Sequence, residues 1–411
     1  MLNSEKIGGG NRILLELFEG MDRSRYQPIV MVPAHGPVED ELVERDVPFT
    51  VLDTIAFATQ AGRLTQLRLL HRFIKWARRN PCGIYHSNGP DPYRLASIVA
   101  KKHRISRVCH IHFPRIEEQL RHPFRIAPDI IVPCSRSIGH QIRGMSADVR
   151  GGALVKTVVN CADLERFTPG DPPQSLREEL ALSNDEKVVT IVGQVCKRKG
   201  HPEFLRMAAK LVGCFSDTRF LILGEDLEMG GAFADTMRKL ASDLGISDHV
   251  TFLGFRSDVP DVIRASDIVV LPSHGEGLPL SLIEASACAR PVVAYDIPGV
   301  DEAVIHETNG LLVPENDIDA LTDATARLLA NPDESRSMGG AGRVLAEKSH
   351  SKRVFVENIQ DVYDIVLHGT AKRTASQRPK TPKRTASQPP KTAKRTARQP
   401  LKPVFRLRET P

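Results

Sequence analysis

The apolar residues of this 411-residue chain fall into short runs separated by stretches with helical spacing. Runs of four to six apolar residues predict strands that are buried on both faces. Strands alternating with helices indicate parallel sheets covered by helices on both sides. The predicted strands cover residues 28–32, 49–52, 83–86, 107–111, 130–133, 188–192, 220–223, 250–253, 268–271, 291–295 and 310–313.

The predicted helices cover residues 11–19, 38–45, 63–79, 202–212, 232–244, 259–265, 318–330 and 351–367. In helix 63–79 we expect Leu67, Leu70, Ile74 and Ala77 to face the core, with arginine and lysine on much of the rest. Strand–helix alternation in both halves predicts two Rossmann-like domains, residues 1–155 and 156–350. Ligands of such sheets lie at the carboxyl ends of the strands, here in the cleft between the domains.

One segment, residues 269–300, combines two strands with a loop and a helix that carry two carboxylates. Glu276 lies in the loop and Glu284 eight positions later on the helix, which tilts its side chain back toward the loop. The free N–H groups around Gly277, Leu278 and Leu280 belong to a helix start, where anions are favoured. An anion cradle flanked by two acceptors for sugar hydroxyls predicts a nucleotide-sugar site.

A second motif, GQVCKRKGH at residues 193–201, joins the first strand of the second half to a helix. Gly193 permits a tight turn, and Arg198 and Lys199 place cations beside a helix N-terminus. This arrangement suits a pyrophosphate.

Together these motifs closely resemble the family-4 group of GT-B glycosyltransferases, over residues 1–368. The resemblance rests on five features in the family's order: Asn160, Asp163 and Phe167 in N-x-x-D-x-x-x-F, Lys199–Gly200, the pair Glu276 and Glu284, the R-P-V-V-A after them, and N-G-L-L-V at 309–313. Gln194 departs from the family, which commonly has arginine there.

The resemblance implies roles for the residues of the second domain. Glu276 would hold the transferred sugar, with Gly277 and Leu278 near the sugar and phosphate. Glu284 would bind the ribose, and Lys199 would neutralise the diphosphate. Loops at Gly224–Glu225 and at Phe255–Arg256 would hold the nucleotide base.

For the first domain the resemblance implies a histidine, His112, that faces the scissile bond, and a phosphate and acceptor loop at Gly8, Gly9 and Gly10. The family's first strand precedes that loop, and the few residues before Gly8 leave it apparently missing. A closing helix, residues 351–368, would cross back onto the first domain.

The implied activity is transfer of a hexosyl unit from a nucleotide sugar to a glycan or lipid-linked acceptor, with retention and with no metal or other cofactor. Asp317 and Asp319 have the D-x-D spacing of metal-dependent transferases, but their place before an apolar helix favours capping. The alternatives are a catalytically impaired transferase-like protein that binds through a basic tail, and a sugar-nucleotide epimerase of the same fold.

The net charge of +6 divides unequally along the chain. Residues 369–411 hold six Lys, seven Arg and one Glu, a net +12, which leaves −6 for the rest. Three proline-containing 11-residue repeats (370–402) have too few large apolar residues to fold, which predicts a disordered basic tail. The tail and helix 63–79 could contact an anionic membrane. Nucleic acid is not an expected partner, since the tail has one aromatic residue, Phe405, on which a base could stack.

The cysteines and the hydropathy of the chain bear on its location. Seven scattered cysteines, the lack of a secretory leader and the lack of a membrane-spanning segment favour a cytoplasmic enzyme, peripheral at most on the inner membrane face.

Overall fold

The computed structural model describes residues 1–57, 62–183, 185–227 and 229–376, with side chains described through residue 368. The elements of the first half are α1 (Gly9–Gly20), β1 (Val30–Val32), α2 (Val38–Glu44), β2 (Phe49–Val51), α3 (Arg63–Arg79), β3 (Ile84–Asn88), α4 (Pro90–His103), β4 (Ser106–Ile111), α5 (Glu117–Arg121), β5 (Ile130–Pro133), α6 (Arg136–Gly144), α7 (Ala147–Arg150) and β6 (Leu154–Val155).

The second half follows after a connecting segment. Its elements are α8 (Gln174–Glu179), β7 (Lys187–Val192), α9 (His201–Val212), β8 (Thr218–Leu223), α10 (Ala232–Asp243), β9 (Val250–Gly254), α11 (Val259–Ala265), β10 (Ile268–Leu271), α12 (Leu280–Ala287), β11 (Val292–Tyr295), β12 (Gly310–Val313), α13 (Ile318–Ala330), α14 (Pro332–Ser349) and α15 (Lys352–Ser376). Short 3-10 turns are Pro123–Arg125, Lys197–Lys199 and Ser247–His249.

All strand pairings among the named strands are parallel. The second half forms one six-stranded sheet in the order β12-β11-β10-β7-β8-β9. The first half forms a four-stranded sheet, β3-β4-β5-β6, and a separate pair, β1-β2. Two parallel sheets with helices packed on them confirm the predicted fold class. Their strands point their carboxyl ends toward the cleft described below.

The first two residues lie where a strand between β1 and β3 would pair. The Leu2 N–H donates to the Met31 carbonyl at 2.9 Å, and the Asn88 N–H donates to the Met1 carbonyl at 2.9 Å. The Met1 ammonium donates to the His86 carbonyl at 2.7 Å, and burial lowers the pKa of this ammonium to about 5. Among the described residues no strand is assigned ahead of α1, and these bonds connect the two parts of the first half.

The orientation predicted for α3 is wrong at one position. Leu69 and Phe73 are buried, whereas Leu67 is 62% exposed and Leu64 is 73% exposed. Because each helical residue advances the face by about 100°, centring the apolar stripe on positions 69 and 73 turns Leu67 outward.

Helix α14 was not predicted, because three glycines (339, 340 and 342) interrupt its apolar pattern. Two of these glycines are needed for packing against the end of α12. A Cβ at Gly339 would lie 2.1 Å from the Ala289 carbonyl oxygen, and one at Gly342 would lie 3.2 Å from Ser286. Glycine lowers helix propensity but permits this close approach.

The last helix, α15, runs beyond its predicted end at residue 367, because the first proline of the repeats stands only at position 379. Its apolar side chains Phe355, Val356, Ile359, Val362 and Val366 are buried in one apolar cluster with residues of the first half, among them residues of α1. The rest of the repeats and the residues after them, 377–411, lie outside the described residues, and so does the prediction of disorder made for them. Searched across the described part of the chain, none of the helices has the combination of length and apolar character that a membrane span requires.

Candidate active site

The carboxyl ends of both sheets line a cleft of about 840 Å³. From the second half come the residues after β7, β8 and β9 and the start of α12. From the first half come residues 5–10 and the end of β4. Of the predicted site residues, the structure brings these to the cleft: Gly8, Gly9, Gly10, His112, Gly193, Arg198, Lys199, Gly224, Glu225, Phe255, Glu276, Gly277, Leu278, Leu280 and Glu284.

Glu276 is a buried carboxylate held by two cations. Its Oε1 lies 2.7 Å from Lys199 Nζ and 3.3 Å from Arg198 Nη1, and it accepts a hydrogen bond from Ser273 Oγ at 2.7 Å. Arg198 also donates to the Gly275 carbonyl at 2.9 Å and stands over the Phe113 ring at 5.2 Å. Charge-assisted bonds of this kind fix the carboxylate. Lys199, Arg198 and Glu276 together carry two cations and one anion, so this cluster of three side chains has one cation in excess.

Close backbone approach requires glycine at several positions around Glu276. A Cβ on Gly200, whose φ is +76°, would lie 1.8 Å from the Pro272 carbonyl oxygen. A Cβ on Gly277 would lie 2.0 Å from the His112 carbonyl oxygen. The loop that carries Glu276 therefore packs directly against the end of β4, on the opposite side of the cleft.

Glu284 lies on the first turns of α12 with its carboxylate facing the cleft. Burial raises the pKa of Glu284, and the nearby guanidinium groups of Arg12 and Arg166 partly oppose that rise. Among the described residues its side chain accepts no hydrogen bond from the protein. A carboxylate in this state has its acceptor capacity available for hydroxyl donors.

His112 lines the cleft at the end of β4. Its Nε2 shares a short hydrogen bond with Asn88 Oδ1, and burial lowers the pKa of His112 to about 4. The ring also lies 4.0 Å from that of His110, measured between centroids. His112 is therefore neutral at pH 7, with Nε2 already engaged within the protein.

The start of α1 crosses the cleft toward α12. A Cβ on Gly9 would lie 3.5 Å from Leu280 Cδ1, and one on Gly10 would lie 3.2 Å from His112 Cδ2. Lys6 Nζ approaches the Leu227 carbonyl at 3.4 Å. The structure places Gly9 and Gly10 in the first turn of α1 and Gly8 at its N-cap, so only Gly8 remains outside the helix where a loop was predicted. These glycines still approach residues from both halves.

Arg256 is the predicted site residue that the structure does not bring to the cleft. Its guanidinium binds Glu179 at 2.6 Å and Asp258 at 2.7 Å, and these carboxylates raise its pKa. These two ion pairs hold Arg256 beside the cleft, and its role at the nucleotide base stays a prediction. Its neighbour Phe255 is 62% exposed and lines the cleft.

Two acidic groups outside the cleft have structural explanations. Asp317 accepts a hydrogen bond from the Ala320 N–H at 2.8 Å, which confirms its predicted role as a helix cap. Glu16, Glu19 and Asp163 have the spacing of a metal site, but each lies 3.0–3.1 Å from the ammonium of Lys352.

Comparison with known proteins places the chain in a family. Residues 8–181 match the glycosyl transferase 4-like domain, and residues 174–344 match the glycosyl transferases group 1 model. The UDP-Gal:alpha-D-GlcNAc-diphosphoundecaprenol alpha-1,3-galactosyltransferase of Escherichia coli is 32% identical over 336 residues, which cover 78% of this chain and 85% of that protein. The chain belongs to the family-4 glycosyltransferases.

Other relatives of this family-4 chain match over a shorter stretch. The D-inositol 3-phosphate glycosyltransferase of Gordonia bronchialis is 37% identical over 202 residues, or 48% of this chain. The match covers 44% of that protein's length, so it spans less than half of this relative.

Solved structures share the fold of this family-4 chain. Anabaena Alr3699/HepE in complex with UDP and glucose superposes with a TM-score of 0.76 at 21% identity, covering 88% of this chain and 98% of that one. The lipopolysaccharide outer core galactosyltransferase WaaB superposes with a TM-score of 0.64 at 17% identity, covering 89% and 98%. Together with the two parallel sheets, these likenesses establish the GT-B fold.

Several residues in or beside the cleft of this family-4 chain make contacts that the sequence did not predict. Ser273 stands three positions before Glu276, and that spacing was the available signal. Arg12 and Arg166 act on Glu284 from α1 and from the connecting segment, and only the tertiary structure shows this. Asn160 was recognised as part of a motif, but its contact was not: its Nδ2 donates to the Leu278 carbonyl at 3.0 Å.

Proposed function

We propose that this chain transfers a hexosyl group from a UDP-sugar to a hydroxyl of a glycan or lipid-linked acceptor. The observation that carries the proposal is Glu276, fixed by Lys199 and Arg198 at a cleft that also holds Glu284. The names of the relatives support the donor and acceptor classes: a UDP-galactose-dependent transferase to a diphosphoundecaprenol-linked sugar, and a fold neighbour in complex with UDP and glucose.

Each part of the nucleotide-sugar donor has a matching group in the cleft. Glu276 accepts hydrogen bonds from sugar hydroxyls, and Glu284 accepts them from the ribose. Lys199 and Arg198 carry one positive charge more than Glu276 neutralises, and this charge attracts the diphosphate. Phe255, exposed at the cleft, offers a surface for the base.

The reaction breaks the bond between the anomeric carbon and the diphosphate oxygen and joins that carbon to the acceptor oxygen. Negative charge grows on the departing nucleoside diphosphate, where Lys199 and Arg198 stabilise it. In the retaining course that we propose, the acceptor attacks from the side of the leaving group, and its proton passes to a departing phosphate oxygen.

We further propose that catalysis requires no metal, since these two cations supply the positive charge that a metal otherwise provides at a diphosphate. Transfer is then expected to continue at an unchanged rate in excess EDTA. A rate that collapses with EDTA and returns with Mg²⁺ or Mn²⁺ would contradict the proposal.

The test of the function is a thermal-shift panel of UDP-, GDP- and ADP-sugars followed by a transfer assay. UDP-sugars should raise the Tm of the wild type, and Glu284→Ala should weaken donor binding about tenfold because a ribose hydrogen bond to a charged group is lost. Glu347→Ala, on α14, is the matched control. A donor effect that survives Glu284→Ala overturns the ribose assignment.

The same experiments distinguish the alternative functions. Conversion of the donor without an acceptor would indicate an epimerase, and no response to any donor would favour the impaired transferase-like protein.

We also propose that the enzyme acts on the cytoplasmic face of a membrane, where α3 contacts anionic lipid. Leu64 and Leu67 project from a helix that carries Arg63, Arg68 and Arg72. Exposed leucine among arginines suits the interface of an anionic bilayer. Most of the basic repeats, residues 377–402, lie outside the described residues and add only their charge to this proposal.

A further inference from the structure

A buried chain of amide side chains connects the amino-terminal segment (residues 4–10) to His112. Asn11 Nδ2 donates to the carbonyls of Ser4 at 2.9 Å and Lys6 at 2.8 Å. Asn11 Oδ1 accepts from Asn88 Nδ2 at 2.9 Å, and Asn88 Oδ1 contacts His112 Nε2. Both asparagines are buried, at 2% and 0% exposure.

The roles of donor and acceptor along this chain are determined by its first member. Because both Asn11 N–H groups face carbonyls, its oxygen must be the acceptor toward Asn88. The Asn88 amide nitrogen therefore donates, which leaves its oxygen to accept from His112. His112 consequently carries its proton on Nε2.

Gly10 packs against the same hydrogen-bonded side chains. A Cβ there would stand 3.2 Å from His112 Cδ2 and 3.6 Å from Asn88 Nδ2. The amino-terminal segment is thus packed on the two side chains to which Asn11 binds it. Segment and histidine both line the cleft.

We propose that Asn11 and Asn88 are positioning residues that hold the amino-terminal segment and the His112 ring in fixed register on the first-half side of the cleft. The proposal rests on the proposed function, because it assigns both residues to the transfer site. Neither residue lines the cleft itself, so each acts through its neighbour.

The first test is hydrogen exchange of residues 4–10 in the full chain. Asn88→Ala leaves Asn11 Oδ1 and His112 Nε2 without a partner, so exchange in this segment should become about tenfold faster. Asn358→Ala, on α15, is the matched control, since it also removes one hydrogen bond that a side-chain amide donates, here to the Val354 carbonyl. Unchanged protection of residues 4–10 in Asn88→Ala overturns the proposal.

The second test uses a proton to restore the missing donor in the variant Asn88→Asp. When the new carboxyl is protonated, its one O–H can donate to Asn11 and its other oxygen can accept from His112. At higher pH the carboxylate faces Asn11 Oδ1, and two acceptors repel. Burial raises the pKa of such a carboxyl, so the folded state holds the proton more tightly, and stability falls as pH rises through that pKa.

The buried titratable groups packed around this position are uncharged at neutral pH. Burial lowers the pKa of His86 to about 3, that of His112 to about 4 and that of the Met1 ammonium to about 5, and it lowers the pKa of His110 well below its usual value. The amino-terminal segment also carries the acidic side chain of Glu5 and the basic side chain of Lys6, both of which line the cleft. The carboxyl of the variant is therefore the group whose titration the experiment follows.

Protection of residues 4–10 and Tm are compared with wild type between pH 5 and 9. In Asn88→Asp the loss of protection and the loss of Tm, each relative to wild type, should both shrink toward pH 5. Asn11→Asp is the contrast, because one proton cannot replace two N–H donors, and its deficit should persist. A pH-independent deficit in Asn88→Asp, or equal behaviour of both variants, counts against the proposal. Neither readout needs a substrate, so failure of the transfer assay leaves this test intact.

Discussion

At the residue scale, the site depends on a carboxylate that would be costly to bury alone. Glu276 is 6% exposed, and Lys199, Arg198 and Ser273 all converge on one of its oxygens. A buried charge is stable only when it is paired and hydrogen-bonded. The same pairing keeps two cations at the place where we expect the diphosphate to bind.

Replacing Lys199 tests that arrangement. We expect Lys199→Met to lower kcat by about a hundredfold, because one preorganised charge on the leaving group is lost. The matched control is Lys197→Met, which removes an exposed lysine from the same turn. Steady-state kinetics with a UDP-sugar gives both values, and similar losses in the two variants would show that local charge, rather than Lys199 itself, matters.

The limits of sequence reasoning at this scale are visible in Arg256. Its motif position predicted a contact with the donor, but Glu179, 77 positions earlier, and Asp258 occupy its guanidinium. Motif spacing does not report such long-range partners. For the same reason, the sequence did not show the contacts of Arg12, Asn11 and Asn88.

At the element scale, α3 shows how a small rotation of the buried stripe around a helix changes the exposed surface. Its buried stripe is centred on Leu69 and Phe73, which leaves Leu64 and Leu67 on the outside. An exposed leucine by itself is ordinary in soluble proteins. Two of them beside several arginines provide the basis for the proposed membrane contact.

The double variant Leu64→Ser/Leu67→Ser is expected to bind phosphatidylglycerol-containing vesicles about tenfold more weakly, because two apolar side chains no longer enter the interface. Val344→Ser, at an exposed position of α14 that is 64% accessible, serves as the control. Co-sedimentation at fixed salt measures the effect. Binding that is equal for all three proteins would remove α3 from the proposed contact.

At the scale of the whole molecule, Lys352 connects three separate parts of the chain. Its ammonium lies 3.1 Å from Glu16, 3.0 Å from Glu19 and 3.1 Å from Asp163. These residues come from α1, the connecting segment and the start of α15. Burial raises the pKa of Glu16, and Lys352 acts in the opposite direction.

Lys352→Met should reduce the free energy of unfolding by about 2–4 kcal/mol at pH 8, since it leaves partly buried carboxylates unpaired. Without the cation the pKa of Glu16 rises further above its unfolded value. The folded state then binds more protons, so stability is lost as pH rises and the deficit should shrink toward pH 5. Chemical denaturation at both pH values measures this.

The control for that variant is Lys156→Met, which breaks an exposed pair with Asp361 at 3.5 Å and is expected to change stability by less than about 1 kcal/mol. A deficit in Lys352→Met that is the same at pH 5 and pH 8 would show that lost packing, rather than charge, accounts for it.

The sequence by itself determined the strand–helix alternation, the fold class and the donor motifs. These features are local: apolar runs reveal strands, and glycine, lysine and glutamate at short spacing reveal loops after them. Helix α14 was missed because its glycines serve contacts with the end of α12, and local propensity cannot show such contacts.

Only the tertiary structure decided which side chains share the cleft. It bound Arg256 to carboxylates away from the cleft, brought Arg12 and Arg166 toward Glu284, and joined Asn11 through Asn88 to His112. Each of these contacts joins residues far apart in sequence. Their geometry depends on how sheets and helices pack, because hydrogen bonds and ion pairs form only where that packing places their atoms within about 3 Å.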